Sequence, residues 1–189
     1  MRFLLLILLL IGFACSRPAR MTDTRYSVNA LLNDSAWFGT AALPNIYETE
    51  DVRCKGRRFM LIVRTDIPYK GMKLRPGTPP TTGCLDKDCY MTQALNFENI
   101  PFKRGRYKLS KLTQCDTINQ PRYHYWRTYP GGGTHRAFVY KKGEPNWVRV
   151  TRIDGVNSLI TGEFAATLTD TSNQVIRFRQ GSFRVKFKP

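Results

Sequence analysis

The chain has 189 residues, of which 42% are hydrophobic and 12% are aromatic. This length allows one well-buried domain and is short for two, and the apolar share argues against a disordered protein. The formal net charge is +16, which favours anionic partners such as nucleic acid, phosphorylated lipid or glycan, or acidic polysaccharide. A solvated basic surface without a specific partner is the alternative.

The first residues predict export and a lipid anchor. Met1-Arg2 and the uncharged run 3–14 are typical of a signal peptide, because the run is shorter than the ~20 residues that a membrane-spanning helix needs. Ala14-Cys15 resembles the lipobox of bacterial lipoproteins, in which the cysteine becomes the lipidated N-terminus after cleavage at residue 14. Gly12 stands where that motif usually has leucine. The alternative is an ordinary secretory signal that is cut nearby.

The polar segment 15–25 predicts a tether between the lipid and the domain. By resemblance to other lipoproteins, Ser16 implies sorting to the outer membrane. Lipoproteins that reach the cell exterior often have acidic residues after the cysteine, whereas Arg17 and Arg20 are basic. We therefore expect an outer-membrane lipoprotein, on the periplasmic face rather than the cell surface.

The mature chain predicts a succession of short strands. Tyr26–Thr40 contains two strands joined by the turn residues Asn33-Asp34-Ser35. Arg58–Thr65 is the most hydrophobic segment and predicts a central strand. The segment 66–90 is rich in Pro and Gly, contains two cysteines and predicts an inserted loop.

The same pattern continues to the end of the chain. Further strands are predicted at Tyr90–Phe97, Arg106–Leu112, Arg122–Tyr129, Arg136–Lys142 and Asn146–Ile153. Alternating apolar and polar residues in 159–187 predict three more strands, with turns at 170–173 and at Gln180-Gly181. We predict one all-β domain over 26–189, an antiparallel β-sandwich or lipocalin-like β-barrel of about 8–11 short strands, with little or no helix after the signal peptide.

Three segments carry a family resemblance: VNALLNDSAWFGTA, IPFKRGRYKLS, and WVRVTRIDGVNSLITGEFAATL with the following VIRFRQGSFRVKF. They resemble a family of small, uncharacterised β-rich lipoprotein domains of Bacteroidota. Its closing signature is a strand, a turn, Gly-any-Phe, a turn and then Gly-any-Phe-any-Val, and the resemblance is strongest from Trp147 to Phe187. The family has no established activity, so the resemblance implies no site residues. The Pro-rich insertion, the cysteines and the positive charge are departures from it.

The cysteines beyond Cys15 predict disulfides. They are Cys54, Cys84, Cys89 and Cys115, an even number that suits an oxidising compartment. They lack the Cys-x2-Cys spacing of zinc ribbons, so we expect no structural metal. Three pairings are possible and the sequence does not choose among them. Our preferred hypothesis is Cys84–Cys89 closing a short loop, with Cys54–Cys115 pinning the insertion to the sheet.

Two features suggest a binding surface. In the predicted strand 122–129, the side chains of Tyr123, Tyr125, Arg127 and Tyr129 share one face. If that face is exposed, it suits stacking on sugar rings or bases, with the arginine adding charge. The alternative is that it packs in the core or makes cross-strand aromatic pairs.

The second feature is the basic outer face of the predicted final hairpin. It comprises Arg177, Arg179, Arg184 and Lys186. A two-residue turn at Gln180-Gly181 would set Arg177 opposite Arg184, and an anion between the two would relieve their repulsion. The alternative is that these charges protect an exposed strand edge from aggregation.

The two histidines, His124 and His135, have no nucleophile motif beside them, and the glycine-rich 130–133 leads into a strand rather than a helix. We therefore expect no enzyme and no cofactor. The sequence predicts a lipid-anchored cell-envelope protein of unknown molecular activity, a binding or scaffolding domain whose partners are the membrane, anionic glycan or lipid headgroups, and an unknown envelope protein. A periplasmic hydrolase using His124 or His135 is the alternative. Export argues against nucleic acid as the partner.

Overall fold

The structure is a computed structural model, and it describes residues 23–74, 76–78, 80–86, 89–115, 124–128 and 133–188. The predicted signal peptide, Cys15 and most of the predicted tether lie outside the described residues. Two members of the predicted aromatic face, Tyr123 and Tyr129, lie outside them as well.

The described part of the chain consists mainly of strands. In chain order these are β1 (Val28–Leu32), β2 (Ser35–Ala42), β3 (Ile46–Thr49), β4 (Gly56–Thr65), β5 (Gln93–Pro101), β6 (Gly105–Lys108), β7 (Tyr125–Thr128), β8 (Thr134–Tyr140), β9 (Trp147–Asp154), β10 (Leu159–Thr169) and β11 (Val175–Lys186). A one-turn helix, α1 (Leu109–Leu112), and a 3-10 helix (Thr113–Cys115) follow β6. The prediction of an all-β domain is confirmed.

Eight of the strands close into an antiparallel barrel. Their order is β1-β2-β4-β5-β7-β8-β10-β11, and β11 pairs with both β10 and β1, which closes the ring. Strand β3 continues the line of β2 along β4, and β9 continues the line of β8 along β10. Strand β6 pairs with the outer edge of β9. The sequence allowed either a β-sandwich or a β-barrel, and the structure shows a barrel.

The barrel interior is packed with large side chains. Its fully buried aromatic residues are Trp37, Phe59, Phe97, Tyr125, Phe138, Phe164 and Phe178. They alternate with outward residues, as the period of two requires, and burial of each apolar side chain contributes about 1.5–3 kcal/mol to folding. The barrel is therefore held together by a solid aromatic and aliphatic core.

The closing stretch forms two strands rather than the predicted three. Strand β11 runs without a turn from Val175 to Lys186 and pairs with β10 along its length. Gln180 adopts a φ of 51° at a β-bulge, where the register shifts between Phe164 and Ala166. The predicted turn at Gln180-Gly181 is wrong, because the extra residue is accommodated within one strand.

The predicted strand Arg106–Leu112 is strand only in its first half. Beyond Lys108 the chain forms α1, which contacts both β5 and β6. Leu109 and Leu112 are both buried in the core. Residues three apart share a face of a helix but lie on opposite faces of a strand, so burial of both leucines requires the helical turn. Among the described residues, no helix is long and apolar enough to cross a membrane.

Both disulfides of the preferred hypothesis are present. The Cα atoms lie 5.0 Å apart in Cys84–Cys89 and 5.3 Å apart in Cys54–Cys115. Cys84–Cys89 closes a short loop inside the β4–β5 connection. Cys54–Cys115 joins the β3–β4 turn to the 3-10 helix. We expected this disulfide to pin the Pro-rich insertion to the sheet. It does not, because neither Cys54 nor Cys115 lies in the insertion.

Candidate functional site

A cleft of about 620 Å³ lies on the barrel wall where β8 gives way to β9. These two strands lie end to end along β10, so the chain leaves the wall after Tyr140 and rejoins it at Trp147. The connection 141–146 forms one side of the recess, and β6 with the start of α1 forms the other. The cleft is thus a direct result of the interrupted strand.

Four cationic side chains line this cleft. They are Arg106, Lys108, Lys141 and Lys142. The Nζ atom of Lys141 lies 3.9 Å from the carboxylate of Glu144. The other three are exposed, and none of them has a carboxylate partner within the described part of the chain. The cleft therefore presents three positive charges that no carboxylate of the described residues pairs with.

Arg106 is held at the cleft by Trp147. Its guanidinium carbon lies 4.1 Å from the centroid of the indole ring. Pairing of β6 with β9 sets Lys108 opposite Trp147, so the side chains of Arg106, Lys108 and Trp147 share the outer face of the sheet. An exposed cation–π contact of this kind contributes ~0.5–1 kcal/mol, and it leaves the guanidinium N–H groups available to an anion.

Asn146 fixes the shape of the connection 141–146. Its Nδ2 atom donates hydrogen bonds to the carbonyl oxygens of Lys141, at 2.9 Å, and Glu144, at 3.3 Å. Its Oδ1 atom accepts from the backbone N–H of Thr167 at 2.9 Å, and its carbonyl accepts from the N–H of Leu109 at 3.1 Å. Asn146 thus ties the lysine-bearing loop to β10 through its side chain and to the start of α1 through its backbone carbonyl.

The basic residues predicted to form one anion site lie along a single strand, β11. They are Arg177, Arg179, Arg184 and Lys186. Arg177 is opposite Thr167, and Arg184 is opposite Thr161, so the two arginines do not face each other as predicted. That prediction depended on a turn at Gln180-Gly181. In a continuous strand the two arginines are about 20 Å apart.

The row along β11 is also partly neutralised. The Nη1 atom of Arg179 lies 3.0 Å from the carboxylate of Asp34, in the turn between β1 and β2. The alternative of edge protection does not apply either, because β11 pairs on both sides, with β1 and with β10. These four residues form a linear basic stripe rather than a site with converging charges.

The described half of the predicted aromatic face turns into the barrel. Tyr125 is fully buried, and Arg127 is only 9% exposed. These two residues therefore offer no stacking surface for sugar rings or bases, and the structure places them in the core, in line with the alternative.

Arg127 lies among aromatic rings inside the barrel. Its guanidinium carbon is 5.1 Å from the ring centroid of Tyr69, 5.3 Å from that of Phe138 and 5.9 Å from that of Tyr125. The Tyr125 hydroxyl donates a hydrogen bond to Oε1 of Gln93. Burial raises the pKa of Tyr125 to about 12, although the charge of Arg127 opposes this shift.

The histidines lie at opposite ends of the β7–β8 pair. His124 is buried and lines a space of about 10 Å³ beside Glu98 and Thr113, which is room for about one water molecule. His135 is exposed and stacks on the Tyr69 ring at 5.7 Å. The structure does not bring them together. No group of three His, Cys, Asp or Glu side chains within the described ranges could hold a metal ion.

Sequence reasoning missed the cleft. Its cations belong to two segments, 106–108 and 141–142, and each resembles an ordinary solvated charge when viewed alone. The available signals were the alternate spacing of Arg106 and Lys108, which places both on one strand face, and the Lys141-Lys142 pair shortly before Trp147. Only the pairing of β6 with β9 shows that these segments are adjacent.

Comparison of the chain with protein-family models, with curated proteins and with solved structures finds no match. The resemblance to lipoprotein domains of Bacteroidota stays a prediction. The features of this chain that bear on its function are therefore the chemistry of the cleft and the N-terminal sequence.

Proposed function

We propose that the protein is a lipid-anchored, non-enzymatic binding domain of the bacterial cell envelope, and that its wall cleft binds an anionic glycan. The observation that carries the proposal is the cleft of about 620 Å³ with three cations that lack a carboxylate partner in the described part of the chain. A volume of this order is in the range of small-molecule sites, about 300–1,000 Å³. Arginine and lysine donate strong charge-assisted hydrogen bonds to carboxylate and phosphate groups.

The shape of the cleft favours a sugar chain over a lipid headgroup. The cleft is an open recess on the side of the barrel, and a polymer can lie across it. Strand β9 starts at the cleft with Trp147 and ends at Asp154, about 20 Å away, at the barrel end where the chain enters β1. A headgroup in the membrane would meet that end of the barrel before it met the wall.

The N-terminal sequence and the two disulfides support a location in the cell envelope. The uncharged run 3–14 followed by Cys15 supports export and lipidation, and Ser16 favours the periplasmic face of an outer membrane. Cys54–Cys115 and Cys84–Cys89 support an oxidising compartment such as the periplasm. An envelope glycan that bears uronic acid or phosphate groups is an available anionic partner in that compartment.

Binding of a uronic-acid oligomer to the full-length protein in detergent tests the proposal. We expect oligogalacturonate to bind, as measured by isothermal titration calorimetry. Replacement of Arg106→Ala with Lys142→Ala should raise the dissociation constant at least about tenfold, since each lost bond to a charged group contributes roughly 1.5–3 kcal/mol.

The matched control is Arg177→Ala with Arg184→Ala, which removes the same two charges from β11. We expect a change of less than about threefold for this pair, because only the general attraction by net charge is reduced. Equal weakening by both pairs would show that the cleft is not the site. Binding of soluble glycerophosphoglycerol, the headgroup of phosphatidylglycerol, but not of the oligomer would identify a lipid headgroup as the ligand and overturn the choice of glycan.

A further inference from the structure

Two turns of the barrel carry fully exposed valines. Val52, in the β3–β4 turn, is 93% exposed, and Val156, in the β9–β10 turn, is 95% exposed. A single exposed apolar residue is common and needs no explanation. Two of them at the tips of projecting turns form a feature that binding in the wall cleft does not require.

Both valines lie at the same end of the barrel, and so does the start of β1. Each pair of neighbouring strands is antiparallel, and two such steps around the ring lead from β10 to β1 and two more from β1 to β4. These three strands therefore run in the same direction, and their first residues lie at one end. The turns that carry Val52 and Val156 precede β4 and β10, so they lie at the end where the chain enters the barrel.

This arrangement brings the proposed anchor to the valines. Cys15 precedes the first described residue, Asp23, by 23 − 15 = 8 residues. At no more than about 3.6 Å per residue, the tether holds Asp23 within about 30 Å of the bilayer. The Nδ2 atom of Asn29, the second residue of β1, donates to the carbonyl of Asp23 at 3.1 Å, so the tether joins the barrel near the start of β1, on the side of the valine end.

The turn at Val52 has unneutralised positive charge beside it. The β5–β6 turn contacts the start of β4, where the N–H of Phe102 donates to the carbonyl of Arg57 at 2.8 Å. That turn carries Lys103 and Arg104, both exposed and without a carboxylate partner among the described residues. Within the β3–β4 turn itself, Arg53 is paired with Asp51 at 2.8 Å.

The turn at Val156 has the same kind of neighbour. The N–H of Phe187, just after β11, donates to the carbonyl of Ser158 at 2.9 Å. This contact places Lys186 and Lys188 beside the valine-bearing turn. Both lysines are exposed, and neither has a carboxylate partner in the described ranges.

A cluster of phenylalanines joins the two cation-bearing segments. The ring centroids of Phe102 and Phe187 lie 5.4 Å apart, and those of Phe59 and Phe102 lie 6.3 Å apart. The guanidinium of Arg57 covers Phe102 at 4.5 Å. The segments that carry Lys103, Arg104, Lys186 and Lys188 are therefore in contact with each other at the valine end.

The tight turns at the opposite end are different. The β1–β2 turn consists of Asn33-Asp34, and the β10–β11 turn has the polar tip 171–173. These tips offer hydrogen bonds to water and no apolar side chain. The β4–β5 connection lies at this opposite end as well, and its Leu74, Leu85 and Tyr90 are 42–50% exposed. The valine end is distinguished by two almost fully exposed valines and by the start of β1, where the proposed tether joins the barrel.

From these contacts we propose that the valine end docks on the surface of an anionic lipid bilayer. The valine end is defined by six residues: Val52, Lys103, Arg104, Val156, Lys186 and Lys188. The valines insert among the headgroups while the cations contact lipid phosphate, and the proposed lipid anchor holds the surfaces together. This inference relies on the proposed anchor, and it fixes the orientation of the barrel, with the wall cleft turned sideways and open to the periplasm.

The test uses the full-length, lipidated protein on vesicles of phosphatidylethanolamine and phosphatidylglycerol. An environment-sensitive dye is attached in turn to Val52→Cys, Val156→Cys and, as a control at the opposite end, Ser172→Cys. Nitroxide groups on the lipid headgroups then quench dyes that approach the bilayer. We expect quenching at 52 and 156 to exceed that at 172 at least about threefold, because only the valine end reaches the interface.

A charge-reversed variant separates docking from anchoring. Lys103→Glu, Arg104→Glu, Lys186→Glu and Lys188→Glu together should abolish the threefold difference while the protein still floats with the vesicles. Equal quenching at all three positions of the unmodified protein, or strongest quenching at 172, would overturn the docking surface and leave the anchor intact. Failure of the protein to float at all would overturn both the anchor and the docking surface.

Discussion

Phe164 lies directly over Gly181 across the β10–β11 pair. The ring occupies the space that a side chain on Gly181 would need, because a Cβ atom there would lie 2.5 Å from Cε2 of Phe164. The arrangement is repeated along the same pair of strands, where Phe183 is opposite Gly162 and covers it. Each phenylalanine thus packs on the bare backbone of the facing strand.

These reciprocal pairs explain the two Gly-any-Phe motifs in the closing segment. In each motif the glycine and the phenylalanine are two residues apart, so both point into the barrel. When the strands pair, the glycine of one motif meets the phenylalanine of the other. The signature on which the family resemblance depends therefore specifies packing of the barrel wall rather than a chemical activity.

Gly181→Ala should destabilise the protein by about 1–3 kcal/mol, because the added methyl group must displace the Phe164 ring in a packed core. Chemical denaturation monitored by circular dichroism measures the loss. Gly155→Ala is the matched control, since a Cβ atom on Gly155 meets nothing within 4 Å, and we expect a change within about 0.5 kcal/mol. Equal midpoints for the Gly181 variant and the parent would contradict the packing argument.

Removal of the two disulfides should have unequal effects. Cys54 and Cys115 are 61 residues apart in sequence, whereas Cys84 and Cys89 are 5 residues apart. The entropy of loop closure predicts a loss of about 4 kcal/mol for Cys54→Ser with Cys115→Ser, and about 2 kcal/mol for Cys84→Ser with Cys89→Ser. Guanidinium unfolding without reductant compares the two. A larger loss from the shorter loop would show that unfolded-state entropy does not control these bonds.

Stability should fall at alkaline pH because of Tyr125. Burial raises its pKa in the folded protein to about 12 from an ordinary value of 10.0. Below pH 10 the hydroxyl is neutral in both states, and above it the unfolded chain gains stability by ionising, until the folded group ionises as well. A shift of this size removes roughly 2–3 kcal/mol between about pH 10 and 12.

Tyr125→Phe isolates this contribution. The variant loses the hydrogen bond to Gln93 and is less stable at pH 8, but its unfolding free energy should decline less steeply from about pH 10 to 12. Urea unfolding at a series of pH values supplies both curves. Parallel curves for the variant and the parent would mean that Tyr125 does not ionise differently in the two states.

Asn146→Ala should weaken ligand binding without removing a charge from the cleft. Loss of the amide releases the carbonyls of Lys141 and Glu144 and the N–H of Thr167. The connection 141–146 then has more freedom to lose on binding, so we expect the dissociation constant for oligogalacturonate to rise about three- to tenfold. Calorimetry on the folded variant measures it. An unchanged constant would show that the loop need not be fixed.

The fold was largely predictable because its strands bury one face. Alternation in 159–168 predicted β10, and the Asn33-Asp34 turn predicted the β1–β2 hairpin, where both residues have the positive φ angles, 48° and 65°, that such turns need. Gln180-Gly181 misled the prediction because a bulge and a turn use the same residue types. Closure of the barrel could not be predicted from local sequence patterns. It depends on pairing of β11 with β1, which is distant in sequence, as well as with its neighbour β10.

The candidate site was much less predictable than the fold. Arg106 and Trp147 are distant in sequence, and they meet only because β6 pairs with β9. The face with Tyr125 and Arg127 was predicted correctly as one face, but its periodicity does not say whether that face points inward or outward. The structure shows that this face points inward, since both side chains are buried. The three aromatic rings around Arg127 show how its positive charge is accommodated inside the barrel.

Binding of oligogalacturonate and of its methyl-esterified form to the full-length protein separates recognition of charge from recognition of the sugar. Esterification keeps the sugar rings and removes the negative charges. We expect the charged oligomer to bind at least about tenfold more tightly than the ester at 0.15 M salt, and the difference to shrink as salt is raised. Equal affinity for the two forms, or no binding of either, would contradict an anion-binding cleft.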